Sequence, residues 1–77
     1  MGNSVSASEK PEQKFKRLAV LRTNAILDKL RLLGNLSNTR IYSYSDDEVE
    51  KIFSALNQKV KEVRARFQNR KKERFDL

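Results

Sequence analysis

The sequence predicts an all-α fold, a two-helix antiparallel hairpin with an 11-residue connecting loop, on three observations. Apolar residues recur at helical spacing from residue 11 to about 33, and the run is followed at once by Gly34. A second run, about 46–72, opens on Ser45-Asp46-Asp47-Glu48, which has the S-x-x-E form of a capping box. The segment between them, residues 34–44, is polar and rich in Asn, Ser and Tyr.

Residues 1–10 (MGNSVSASEK) are small, polar and aperiodic and read as a disordered tail. Pro11 suits the first turn of a helix, where its missing N–H leaves no bond unmade. At 3.6 residues per turn, Phe15, Leu18, Ala19, Ala25, Ile26, Leu30 and Leu33 gather on one face, with Leu21 and Leu32 on its flank. Gly34 just past the run reads as a helix stop. The loop is longer than the usual 2–8 residues between bundled helices, so Leu36 and Ile41 are expected to anchor it across the open end of the helix pair.

In the second helix the three carboxylates of the first turn suit the positive end of the helix dipole. Val49, Phe53, Leu56, Val60, Val63 and Phe67 then follow at spacings of 4-3-4-3-4, a heptad seam thickened by Ile52. The apolar pattern stops at Phe67, although residues 68–74 contain no helix breaker, and 75–77 read as a frayed end.

A chain of 77 residues, 38% apolar and 35% charged, has little material for an interior of its own. Each helix carries a stripe that a lone hairpin leaves partly wet. Completion by homodimerisation, as a four-helix bundle, or by docking onto a partner is therefore expected. Phe53, Leu56, Val60, Val63 and Phe67 are the candidate interface. Arg22 and Lys29 fall inside the apolar face of the first helix. Their stems can lie along apolar surface with the charge at its edge, or they can face a partner carboxylate such as Asp28 of a second chain.

There is no Cys, His or Trp. Thiolate and imidazole catalysis, disulfides and ordinary zinc sites are thereby excluded, and no catalytic residue, metal or cofactor is assigned. The acidic group Asp46, Asp47, Glu48 and Glu50 is accounted for by helix capping and dipole compensation. The chain reads as a non-enzyme.

The formal charge of +7 is segregated. Residues 1–33 carry seven cations and three anions, residues 34–58 two and four, and residues 59–77 eight and three. Dipole compensation at a helix end needs two or three cations, so the basic end of the second helix reads as a surface for phosphates of RNA or DNA, with an acidic protein partner as the competing reading. Arg64, Arg66, Arg70, Lys71 and Lys72 are its candidates. In the loop, Asn38, Arg40, Tyr42 and Tyr44 offer amides, a guanidinium and stacking faces of the kind that bind single-stranded nucleic acid. Turn chemistry alone also favours Gly, Asn and Ser there.

The run Leu30-Arg31-Leu32-Leu33-Gly34-Asn35-Leu36-Ser37-Asn38, the Tyr42-Ser43-Tyr44 stretch and Ile52-Phe53 before a basic helix resemble a group of short helical proteins of bacteria, often carried by phages, plasmids and other mobile elements. The resemblance covers about residues 14–67 and implies a cytoplasmic bacterial or viral setting, with no activity and no site residues attached.

These readings converge on a small basic binding module for nucleic acid or a nucleoprotein. The alternative is a protein–protein adaptor or inhibitor that uses the heptad face. A third class, a peripheral membrane protein, requires myristoylation at Gly2, since Met1-Gly2-Asn3-Ser4-Val5-Ser6 fits the M-G-x-x-x-[ST] pattern. No apolar run approaches the length of a membrane span.

Overall fold

The computed structural model describes residues 9–72, with side chains as far as Asn69. The expectations for residues 1–8, including Gly2, and for 73–77 lie outside the described residues. The fold is all-helical: α1 runs Pro11–Gly34, a short 3₁₀ helix follows at Asn35–Ser37, and α2 runs Asp46–Lys72, with no strand among the described residues. The chain divides into two units, Met1–Tyr42 and Ser43–Leu77.

In the first unit, Lys10 is extended and Pro11 opens α1. Lys10 N–H donates to Gln13 Oε1 at 3.1 Å. Only this half of a capping box forms, because an ammonium group has no acceptor to offer the helix. The other end of α1 falls within a residue of the expected stop, without a left-handed glycine. Gly34 is right-handed, with φ −62° and ψ −27°, and belongs to the helix rather than stopping it. Backbone N–H groups at the cap donate to the carbonyls of Arg31, Leu32 and Leu33, and the chain tightens into the 3₁₀ helix. Helical geometry is left at Asn38, with ψ at 103°. Within the first unit Ile41 is 69% exposed and Leu36 46%. Hydrogen bonds within the loop set its local course.

In the second unit, α2 starts where its capping box places it. The Glu48 N–H donates to Ser45 Oγ at 3.1 Å, and the Ser45 N–H donates to Glu48 Oε1 at 2.8 Å. The first helical bond, from Val49 N–H to the Ser45 carbonyl, is 3.1 Å. Such a cap contributes on the order of 1 kcal/mol.

Among the described residues no side chain is buried. The half-buried residues of α1 are Leu18, Ala19 and Leu33; those of α2 are Val49, Leu56 and Ala65. All but Ala65 lie on the faces selected by the apolar spacing. Among the described residues of each unit, no contact joins positions twelve or more apart. Backbone ladders, caps and neighbours one turn away hold each helix, an arrangement that is marginal in water for isolated helices.

Candidate nucleic-acid interface

In the first unit the loop is organised by Asn38. Its backbone carbonyl accepts from the N–H groups of Ile41 at 3.1 Å and Tyr42 at 2.9 Å. Its side-chain Oδ1 accepts from Arg40 N–H at 3.0 Å, an Asx turn. Asn38, Arg40 and Tyr42 are therefore brought together, but Asn38 spends its amide oxygen on shaping the loop that presents the other two. Arg40 is exposed, and Tyr42 keeps 44% of its surface open. An exposed guanidinium two residues from an exposed phenol can supply a charge-assisted bond and a stacking face.

Tyr44 lies in the second unit, one residue before the α2 cap, and is 42% exposed. Along α2, Lys59, Lys61, Arg64 and Arg66 are exposed. Lys59 Nζ is held by Glu62 Oε1 at 3.1 Å, and Gln58 Nε2 donates to the same carboxylate at 3.3 Å. Both contacts, Lys59 first, hold Glu62 below its ordinary carboxylate value. Arg64 and Arg66 take part in none of the ion pairs among the described residues. Two positions apart, they project about 200° from each other around the helix axis. The basic residues thus bracket the apolar seam instead of forming one face. Arg70, Lys71 and Lys72 belong to the last turn of α2, and their side chains lie outside the described residues.

The candidate interface residues are in the open as well. Phe53, Val60, Val63 and Phe67 are exposed and Leu56 is half-buried. Arg22 and Lys29 of α1 are also exposed. Asp28 is engaged within its own helix by Arg31 at a long 3.5 Å. Asp46, Asp47 and Glu48 make up the first turn of α2. Among the described residues no group of three His, Cys, Asp or Glu is placed to hold a metal ion. No described helix is long and apolar enough to cross a membrane.

One pair was not signalled by the sequence. Arg17 donates to Glu9 through Nε at 2.9 Å and Nη2 at 3.0 Å. Eight positions separate the two, outside the i,i+3 and i,i+4 spacings that reveal helical pairs. No protein-family model, curated protein or solved structure matches this chain.

Proposed function

We propose that the chain is a small, non-enzymatic binding module that contacts nucleic acid or a nucleoprotein. The observation that carries the reading is the exposure of Lys59, Lys61, Arg64 and Arg66 within eight residues of α2, with Glu62 the one acid among them. Arg70, Lys71 and Lys72 continue the basic sequence to the end of the helix. In this proposal these cations neutralise phosphates and displace counterions. Arg40 and Tyr42, on the loop that Asn38 shapes, and Tyr44 add stacking and hydrogen bonding to unpaired bases.

The same proposal has the two helices close as an antiparallel hairpin once their apolar faces are covered, in a homodimer or on a partner. Arg22 and Lys29 then lie at the edge of the covered face of α1. The cytoplasmic, mobile-element setting implied by the resemblance belongs to this reading too. A second reading, a protein–protein adaptor or inhibitor, is favoured by the exposed seam, where Val60 is 63% and Phe67 58% open.

Fluorescence-anisotropy titrations with single- and double-stranded RNA and DNA, each at two salt concentrations, test the first reading. Binding that weakens steeply with salt supports it. Absence of binding to all four at low salt overturns it and leaves the adaptor reading.

A further inference from the structure

The exposed seam of α2 has an internal symmetry that specifies its occupant. Its 4-3-4-3-4 spacing reads the same from either end, so a second copy laid antiparallel, with the two-fold axis at Gln58, falls into register along its whole length. Val49 then meets Phe67 of the second copy, Phe53 meets Val63, and Leu56 meets Val60, with the same layers repeated beyond the axis. Every layer combines one large side chain with one valine, which keeps the filled volume even, as close packing demands. The parallel in-register alternative stacks Phe on Phe at 53 and 67, Leu on Leu at 56 and Val on Val at 49, 60 and 63, leaving some layers crowded and others underfilled.

Charges at the seam's edges favour the same orientation. Glu50, Asn57 and Arg64 line one edge at heptad spacing. In the antiparallel pair, edge residues meet the same edge of the other helix, so Glu50 faces Arg64 of the second copy twice over and Asn57 faces Asn57 at the axis. In the parallel pair, Lys59 of one copy faces Arg64 of the other, cation against cation. Antiparallel pairing also sets the acidic first turn of α2 beside the basic last turn of the second copy and opposes the two helix dipoles. The one like-charge meeting it creates, Lys59 with Lys59, is relieved by the 3.1 Å bond of each Lys59 to its own Glu62. Glu50 has only a long 3.5 Å contact from Ser54 Oγ to give up, and Arg64 has no ion pair among the described residues.

We propose that α2 self-associates as an antiparallel pair centred on Gln58, closed by reciprocal Glu50–Arg64 ion pairs, with the second copy as the occupant of its apolar seam. The inference does not depend on nucleic-acid binding. It gives Arg64 an interface role in place of a phosphate contact.

Sedimentation equilibrium of the full chain, without nucleic acid, tests it through a charge swap. The wild-type chain should dimerise. Glu50→Arg and Arg64→Glu should each weaken association by about tenfold, and the double swap should restore it, because like pairs become opposite pairs again. In a second measurement, Asn57→Cys should cross-link to itself with a short bismaleimide, while Ser54→Cys, on the outer surface, should not. A chain that stays monomeric, single swaps without effect, a double swap that fails to recover, or Asn57→Cys that does not cross-link would each overturn the proposal. Those outcomes return the seam to α1 or to a foreign partner.

Discussion

Glu9 grips Arg17 by both carboxylate oxygens, so a residue outside α1 is tied to the second turn of that helix. The bidentate fork is the strongest geometry open to such a pair. The hydrogen bonds from Arg17 hold the Glu9 carboxyl below its ordinary value, against an opposing desolvation and with added help from the charges of Arg17 and Lys14, while the Arg17 guanidinium is held above its own.

The sign of the pH response follows. A carboxyl depressed in the folded chain contributes stability that is complete above its unfolded value and is lost as pH falls through the lowered folded one. Glu62, depressed by Lys59 and Gln58, behaves alike. Helicity followed by circular dichroism should therefore decline as acid protonates both groups, below the ordinary carboxylate range. Glu9→Gln should flatten the part of that decline belonging to the start of α1. An unchanged acid titration would show that the clamp does not stabilise the helix.

The α2 cap should be the most sensitive single point of the second unit. Ser45→Ala removes the acceptor of the Glu48 N–H and should cost about 1 kcal/mol in helix stability. Ser45→Asp keeps an acceptor and should retain most of it. Thermal melts at fixed concentration compare the two.

Gly34→Ala should stabilise the chain. Gly34 has ordinary right-handed angles, and a Cβ placed there meets nothing within 4 Å. Replacing a helical Gly by Ala should therefore gain about 0.5–1 kcal/mol. A left-handed Gly would give the opposite sign, so a lowered melting temperature would contradict the α1 terminus described above.

If α2 contacts phosphates, Lys61→Ala with Arg66→Ala should weaken binding across all sequences. The slope of log K against log salt should fall by about 0.7–0.9 for each cation that engages a phosphate. Tyr42→Ala should instead leave the salt slope alone while costing about 1–3 kcal/mol per stacked base. Anisotropy titrations over several salt concentrations separate the two effects.

The helices were legible because their signals are local. Ser45 and Glu48 sit at the one spacing that lets each satisfy the other's backbone, and the seam residues recur with the helical turn. Gly34 marks the end of α1 within a residue of the expected stop, but with right-handed angles, which composition does not reveal. After the 3₁₀ helix, helical geometry ends at Asn38, whose side chain makes the competing turn. The Glu9–Arg17 clamp spans a non-helical start, where no period carries information. In the candidate site, composition marked the cations but not their direction; the two-residue step from Arg64 to Arg66 places them on opposing sides.

The absence of any buried side chain among the described residues sets how the chain responds to heat and dilution. A large heat capacity of unfolding arises from apolar surface that folding had hidden. Helices that hide little of it melt by fraying, over a broad range of temperature. If a second copy covers the seam as proposed, stability becomes a matter of mass action: the melting temperature should climb with concentration and the transition should sharpen. The cooperativity of melting is then a direct gauge of how much partner is present.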